Sequence, residues 1–390
     1  MSADPAEVLG PARLSRMVFE GKDLQPVWDA AMARASASAA DAGARMDLAT
    51  MLLLTGQQEA GLALQAEALA LNAAYRRPTR ARANATLLAL VAPGDMMANT
   101  PLDFLLEDAA IDLVSLFVRP GEPVPSPPPH DVAFLAVGQS EANAPILEAI
   151  GPALADWPRP MINGAPERIA ALTRDGVAAR LAEVPGLLAP MAARLDRADL
   201  ARVAAGAPSP MAFPLLVRPI ASHAGAGLAK IGAPGDLLGY LQAQPEAHFY
   251  ATPFVEYAAA DGLYRKQRIV FIEGAPFIAH LAVSEHWMVH YLSAGMAEDA
   301  DRRAEEAAFM ASFDSGFAAR HKAAFETLVA RIGLDYFGID CAETPGGDLL
   351  IFEADTAMIV HAMDPLDPFA YKQEPMRRLI AAFEAMLRSR

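Results

Sequence analysis

The chain has 390 residues, of which 53% are hydrophobic and 20% are charged, so it is long enough for two or three folded domains with sizeable cores. Its formal net charge of −15 argues against a nucleic-acid partner and leaves no basic face for an anionic membrane. The single cysteine, Cys341, excludes an internal disulfide, and no apolar run has the length of a secretory signal or a membrane span, so we expect a cytoplasmic protein.

The first part of the chain, residues 1–82, predicts a helical N-terminal segment. Apolar residues recur at helical spacing between Pro26 and Arg77. The stretches 47–56 and 60–69 resemble one tetratricopeptide unit, a helix pair with small residues where the helices touch. A single unit of this kind cannot bury its own faces. A helical cap or a dimerisation element is therefore the other interpretation, and the latter would make the protein a homodimer.

Residues 83–165 predict a small α/β domain with an open sheet. Buried strands are expected at 85–91, 111–118 and 131–137, and helices lie between and after them. Ligands of such sheets gather at the carboxyl ends of the strands, which makes the loop 92–99 a candidate for substrate contact. An ordinary connection explains this loop equally well. A linking segment with helical patterns, 166–210, follows.

A strand that ends on a cation opens the last expected domain, 211–390. The strand 213–219 contains Arg218, which could neutralise a phosphate chain held by the backbone N–H groups of the loop that follows. The loop residues placed to do so are Ser222, His223, Gly225 and Gly227. A tight hairpin explains the glycines equally well.

Two further strands, 263–272 and 277–282, predict an antiparallel sheet that carries Arg268 on one face. An arginine on an exposed strand is commonly only solvated. Arg268 therefore gains a role only if other groups converge on it.

A β-hairpin centred on the turn Gly346-Gly347 would carry three carboxylates on one face. In that register Asp340 falls opposite Glu353, and Asp355 lies two residues further along the same face. The opposite, apolar face would carry Phe337, Ile339, Cys341, Leu350 and Phe352. Two interpretations remain open: a solvated polar face, or a divalent-metal site that offsets the repulsion between the carboxylates.

The order of these elements resembles the ATP-grasp superfamily, and within it the glutathione-synthetase-like carboxylate–amine ligases. Four motifs carry the resemblance: LLVRPIASHAGAGLAKI (215–231), TPFVEY (252–257), KQRIVFIEGAP (266–276) and FGIDCAETPGGDLLIFEAD (337–355). The resemblance implies an α/β fold that becomes α+β in its C-terminal part. The small open α/β domain would precede an ATP-grasp domain with antiparallel sheets.

The resemblance also implies the cofactors and their ligands. The cofactors would be ATP and two Mg²⁺ ions, with Mn²⁺ as the alternative ion. Arg218 matches the phosphate-binding cation, usually a lysine, and Arg268 matches the arginine that contacts the transferred phosphoryl group. Asp340 and Glu353 match the metal carboxylates, whereas Asp355 stands where the family more often has asparagine. The residues that would surround adenine are Thr252, Phe254, Val255 and Glu256.

One departure from the family concerns its second phosphate-binding lysine, since the chain reads Thr-Arg-Asp-Gly at 173–176. Arg174 or Arg180 would have to replace it, and a chain without a replacement would be a degenerate, non-catalytic homologue. The reaction implied joins a carboxylate to an amine through an acyl phosphate and releases ADP and phosphate. A small-molecule kinase and a non-catalytic ATP-grasp-like binding protein are the alternatives.

Substrate recognition is expected from the polar and aromatic stretch that follows the strand 277–282. Its candidate residues are His286, His290 and Tyr291, which would contact small-molecule or peptide carboxylate and amine substrates. The spacing of these histidines is not a metal motif. Ordinary buried or surface histidines are the other interpretation.

Overall fold

The computed structural model describes residues 4–79, 82–222 and 225–390, and it contains three β-sheets with helices packed on them. The expected fold class, α/β with antiparallel sheets in the C-terminal part, is confirmed. His223, one of the expected phosphate-loop residues, lies outside the described residues. Within the described part of the chain, no helix combines the length and the hydropathy that crossing a bilayer requires.

The N-terminal part and the small α/β domain share one six-stranded sheet. Its strands are β1 (Ala6–Glu7), β2 (Ala74–Arg77), β3 (Ala85–Val91), β4 (Ile111–Phe117), β5 (Val132–Leu135) and β6 (Met161–Ile162). They lie in the order β1-β2-β4-β3-β5-β6, and β3 pairs in parallel with both β4 and β5. The central strands read as continuous apolar runs because both faces of the sheet are covered. Since β1 and β2 belong to residues 1–82, the N-terminal segment is built into this sheet.

Seven helices in the described residues accompany this sheet. They are α1 (Pro11–Phe19), α2 (Gln25–Ala37), α3 (Ala42–Leu54), α4 (Gln58–Leu71), α5 (Leu102–Leu105), α6 (Ala144–Ala149) and α7 (Gly151–Ala155). The expected helix pair is α3 and α4, which pack closely because Gly61 has no side chain. A Cβ atom at Gly61 would lie 2.7 Å from Cγ of Leu53.

The chain then forms a four-stranded antiparallel sheet. The elements of this part are α8 (Pro166–Ala170), α9 (Arg174–Arg180), β7 (Leu187–Leu188), β8 (Ala193–Asp196), α10 (Arg197–Ala204), β9 (Leu215–Pro219), β10 (Ala229–Ile231), α11 (Asp236–Ala243) and β11 (His248–Pro253). The sheet has the order β10-β9-β11-β8. Val217 and Phe249 pack against α10 and α11 on one face, so the alternate residues Arg218 and Tyr250 lie on the other.

A five-stranded sheet completes the fold. Its elements are β12 (Tyr264–Ile272), β13 (Ala275–Ser284), α12 (Ala300–Ser312), α13 (Phe317–Arg320), α14 (Lys322–Ile332), β14 (Tyr336–Glu343), β15 (Leu349–Asp355), α15 (Leu366–Phe369) and α16 (Gln373–Arg388). The strands lie in the order β13-β12-β14-β15-β7. On the core face, the ring of Phe271 stacks on Phe337 at 4.9 Å and meets Phe325 of α14 edge-on at 5.3 Å. The polar residues of β12 and β14 are left on the opposite face.

Candidate active site

A cavity of about 1040 Å³ lies between the four-stranded and the five-stranded sheets. Arg218 of β9 and Tyr250 of β11 line one side of it, and Arg268 of β12 and Asp340 of β14 line the other. The cavity is at the upper end of the volumes that hold small ligands in proteins. The two sheets thus bring together charged residues that come from distant parts of the chain.

A buried ion triplet forms the floor of the cavity. The carboxylate of Asp340, which is 2% exposed, accepts hydrogen bonds from Lys266 Nζ at 2.9 Å and from Arg268 Nε and Nη2 at 2.8 and 3.0 Å. These cations outweigh the effect of burial and hold the pKa of Asp340 far below its usual range. Arg268 Nη1 also donates to the backbone oxygen of Ile359 at 3.0 Å. The floor is therefore fixed before any ligand binds.

Lys266 is a site residue that sequence reasoning did not assign. It lies two positions before Arg268 on β12, and both side chains line the cavity. The period of two along a strand was the signal that could have found it. Arg265, between them, instead pairs with Asp261 and Glu305 outside the cavity.

Arg174, one of the two arginines considered as replacements for the missing lysine, lines the cavity. Its Nη2 donates to Glu353 Oε2 at 2.6 Å and its Nη1 to the backbone oxygen of Phe352 at 3.1 Å. Among the described residues that line the cavity, Arg174 is present and Arg180 is not. Arg174 also lies close enough to Arg218 to repel it, and together with burial this lowers the pKa of Arg218 to about 10. An anion between the two guanidinium groups would relieve that repulsion.

The hairpin has the expected pairing of carboxylates. Asp340 lies opposite Glu353, and Asp355 follows on the same strand opposite Gly338. All three acidic residues line the cavity, so the predicted shared face is confirmed.

The expected two-residue turn at Gly346-Gly347, however, is wrong. Thr344 N donates to Asp348 O at 2.9 Å, which closes a three-residue loop in which Gly347 adopts a φ of 87°. This loop shifts the register by one residue, and a bulge that leaves Phe352 unpaired shifts it back before Glu353.

Because of the same bulge, part of the expected apolar face is wrong. Phe337, Ile339 and Cys341 pack in the core with α14, as expected. Leu350 and Phe352 do not; they pack with Tyr257 on the cavity side of the sheet. The shift in register moved these two side chains to the face opposite the one predicted.

Two of the three carboxylates are chemically suited to hold a divalent cation. Glu353 has one arginine partner, and no hydrogen bond from a cation reaches Asp355 among the described residues. Burial and the neighbouring Glu353 raise the pKa of Asp355 to about 6. No group of three or more His, Cys, Asp or Glu side chains within the described ranges is arranged to hold a metal ion. Asp340 is instead hydrogen-bonded to two cations. Two carboxylates together with ligand phosphates are a common way of holding Mg²⁺, so the pair fits such an ion.

An apolar slot adjoins the charged floor. Of the connector residues, Thr252, Phe254 and Val255 line the cavity, and the ring of Phe254 meets Trp287 edge-on at 5.7 Å. Lys230 Nζ lies 3.3 Å from the centre of the Phe254 ring. Glu256 is not among the described cavity residues, because its carboxylate accepts the backbone N–H groups of Tyr257 and Ala258, both at 3.0 Å.

The loop residues expected to bind phosphate after β9 do not all line the cavity. Gly225 lines the cavity. Ser222 acts through Arg218, whose Nε donates to Ser222 Oγ at 3.1 Å. Gly227 has a φ of 66°, and a Cβ atom there would lie 2.7 Å from Cδ of Pro219, so it shapes the turn. Of the described members of the expected loop set, only Gly225 and Arg218 line the cavity.

The expected substrate residues also differ in whether they line the cavity. His290 and Tyr291 line the cavity, whereas His286 is exposed and is not among the described lining residues. The hydroxyl of Tyr291 donates to Glu306 Oε2 at 3.0 Å and accepts from Lys372 Nζ at 2.7 Å. Sequence reasoning missed Glu306 and Lys372, which lie on amphipathic helical stretches that gave no sign of a site.

The fold is similar to several solved structures at low sequence identity. A RimK domain ATP-grasp protein from Sphaerobacter thermophilus is 12% identical with a TM-score of 0.42, and the match covers 76% of this chain and 98% of that one. The VanG D-Ala:D-Ser ligase from Enterococcus faecalis is 9% identical with a TM-score of 0.47, covering 78% and 99%. A D-alanine–D-alanine ligase from Bacillus anthracis complexed with ATP is 11% identical with a TM-score of 0.44, covering 78% and 100%.

No protein-family model and no curated protein sequence matches this chain. The first structure is described as ATP-grasp and the other two as ligases, the classes that the sequence motifs resemble. All three TM-scores lie below 0.5.

Proposed function

We propose that this chain is an ATP-dependent ligase of the ATP-grasp class, which joins a carboxylate to an amine through an acyl phosphate and releases ADP and phosphate. The observation that supports this most strongly is the convergence of four cations on one cavity. These residues are Arg174, Arg218, Lys266 and Arg268. The lining as a whole carries five cations and five carboxylates, but around the hairpin these four cations face three carboxylates, Asp340, Glu353 and Asp355. This local excess of one cation suits the phosphate end of a nucleotide.

The nucleotide would lie with its base in the apolar slot and its phosphates toward the cations. Phe254 and Phe352 line the cavity and supply aromatic surface for a flat base, and the ring of Phe352 meets that of Tyr257 edge-on. Arg218 and Arg174 would then hold the phosphate chain, with Gly225 allowing backbone to approach it. Thr252 and Val255 complete the slot. Glu256 supports the site by accepting backbone N–H groups of the connector. Ser222 supports it by accepting a hydrogen bond from Arg218.

A magnesium ion would be held by Glu353 and Asp355 together with the phosphates. When bound, it neutralises charge on the β- and γ-phosphates and on the transferred phosphoryl group. Asp340 stands next to Glu353 in the sheet and holds Lys266 and Arg268 in place.

The reaction requires two anions, the substrate carboxylate and the γ-phosphate, to approach each other. Their repulsion is the main part of the barrier that these residues lower. In the first step a carboxylate oxygen of the substrate bonds to the γ-phosphorus, and the bond to the oxygen that bridges the β- and γ-phosphates breaks. Lys266 and Arg268 offset the charge that gathers there, because they are already oriented by Asp340. ADP is the leaving group.

In the second step the amine nitrogen attacks the acyl carbon, the bond from that carbon to the phosphate oxygen breaks, and the proton lost by the nitrogen ends on the departing phosphate. Arg268 can hold the departing phosphate through the step. His290 and Tyr291 line the cavity and would contact the substrates. Burial and the nearby Lys266 lower the pKa of His290, which keeps this histidine neutral near pH 7.

The test is a screen of carboxylate and amine pairs for ADP and phosphate release in the presence of Mg²⁺. We expect Glu353→Gln to abolish turnover while remaining folded. The matched control is Glu343→Gln on the same hairpin, since Glu343 pairs with Arg320 and His321 outside the cavity. Full activity of the Glu353 variant would overturn the assignment of the site.

The same assay separates the alternatives. Release of ADP without phosphate would indicate a small-molecule kinase. ATP binding without turnover for any pair would indicate a non-catalytic binding protein.

A further inference from the structure

The end of the cavity away from the nucleotide slot is apolar, and the N-terminal helix α1 forms part of its wall. The side chains that line this end come from α1, from the loop after β3, from α5 and from the segment after the hairpin. They are Val18, Phe19, Met97, Phe104, Met358 and Met363. The N-terminal segment is therefore a component of the proposed active site.

Polar contacts hold α1 in this position. Asp103, which is buried, accepts the backbone N–H of Ala12 at 2.7 Å, in the first turn of α1. Arg16 binds Glu107 through two hydrogen bonds of 2.7 and 2.6 Å. Leu14 is fully buried beside them. Since these contacts fix the helix from several sides, the residues at its C-terminal end are held at a defined place in the wall.

Two of the wall residues are unusually exposed for large apolar side chains. Val18 is 44% exposed and Phe19 is 45% exposed, and both line the cavity. The ring of Phe19 lies 6.1 Å from that of His361, and the ring of Phe104 lies 6.5 Å from it on the same end of the cavity. Contact with an apolar ligand would remove Val18 and Phe19 from water.

This apolar end begins directly at the reacting groups. Arg268 Nη1 is bonded to the backbone oxygen of Ile359, which lies between Met358 and His361. A Cβ atom at Gly338 would lie 2.8 Å from Sδ of Met358, two residues from Asp340 on the same strand. A substrate held at Arg268 would therefore lie next to the segment that carries Met358 and His361, at the border of the apolar end.

The cation at this end is already paired with carboxylates of the protein. Lys372 Nζ donates to Asp364 at 2.9 Å and lies 3.8 Å from Glu306. Burial lowers the pKa of His361, so the imidazole is neutral near pH 7. An anionic side group of a substrate would find no unpaired cation among the described residues here, whereas the methionines can adapt to apolar groups of different shape.

We infer that this end of the cavity is a subsite for a bulky apolar side group, branched aliphatic or aromatic, on one of the two substrates that the enzyme joins. The inference rests on the proposed ligase function and adds the class of substrate. It assigns to α1 a role in specificity.

Four amino acids test the inference, because they share the reacting amine and carboxylate and differ only in the side group. L-alanine, L-leucine, L-phenylalanine and L-glutamate are offered singly and in pairs with Mg²⁺ and ATP, and KM is measured by ADP release. We expect the lowest KM values for L-leucine or L-phenylalanine. Phe19→Ser should raise that KM about tenfold and change the KM for ATP less than twofold. The matched control, Leu71→Ser, replaces a residue that is 46% exposed and lies outside the cavity lining in the described chain, and should change neither.

Each result bears on a different statement. Equal KM values for wild type and Phe19→Ser, or preference for L-glutamate, would overturn the subsite and leave the ligase reaction standing. If no pair releases ADP, the ligase proposal fails for these substrates, and calorimetric binding of L-phenylalanine decides on the subsite. Weaker binding of L-phenylalanine to Phe19→Ser than to wild type supports the subsite. Equal binding to the two proteins, or no binding to wild type, overturns it.

Discussion

Asp340→Asn should destabilise the protein strongly, because it leaves two cations in the buried floor without their common partner. The carboxylate is 2% exposed and accepts three hydrogen bonds of 2.8 to 3.0 Å from Lys266 and Arg268. Breaking a buried ion pair from one side costs roughly 3–5 kcal/mol. Because the two cations keep some contact with the open cavity, we expect the lower end, about 3 kcal/mol, in urea unfolding at pH 7.

A second variant distinguishes the free-energy cost of the unpaired charges from that of the lost hydrogen bonds. Adding Lys266→Met removes one of the two cations, and we expect the double variant to recover at least about 1 kcal/mol relative to Asp340→Asn. Asp261→Asn, on an exposed pair with Arg265, serves as the control and should leave the unfolding midpoint unchanged. A loss below about 0.5 kcal/mol in Asp340→Asn, or no recovery in the double variant, would refute the reasoning.

Three further changes probe other parts of the fold. Burial raises the pKa of Asp47 from 3.8 to about 7, so the native state holds a proton that the unfolded state loses. The contribution of this group to the free energy of unfolding should therefore fall as the pH rises from about 4 to about 7. In urea unfolding at the two pH values, the wild type should lose stability relative to Asp47→Asn, and an equal change in both would contradict the shift. Gly347→Ala should lower the free energy of unfolding by about 1 kcal/mol, because Gly347 has a φ of 87°. Gly346→Ala should be neutral. Equal shifts of the two variants in thermal unfolding would contradict the three-residue loop. Tyr291→Phe should cost about 1–3 kcal/mol in urea unfolding, since it removes a donor from Glu306, which is 0% exposed, and unchanged stability would contradict the network.

Sequence periodicity predicted the strands well because it reports directly on which face of a strand is buried. The strand expected at 85–91 has those bounds in the structure, and the strand expected at 111–118 ends one residue earlier. The pairing of Asp340 with Glu353 also followed from the sequence. In each case the signal lies within one element or one hairpin.

Contacts across the cavity could not be predicted in that way. Arg174 and Glu353 are 179 residues apart in sequence, and nothing in the period of either element states that they meet. The place of Phe19 in the cavity wall depends on how Asp103 and Glu107 anchor α1, which a helical pattern does not report. The motifs identified the cavity from its strands, and the helices that complete it were left out.

The bulge at Phe352 explains how one short strand serves two parts of the site. In a regular strand alternate residues point to opposite faces, so Leu350 and Phe352 would face away from Glu353 and Asp355. The unpaired residue reverses that alternation. The first two side chains then face the apolar slot beside Tyr257, and the carboxylates face the cations on the same side of the sheet. A ligand with an apolar base and a charged phosphate chain needs both surfaces next to each other, and without the bulge β15 could supply only one of them.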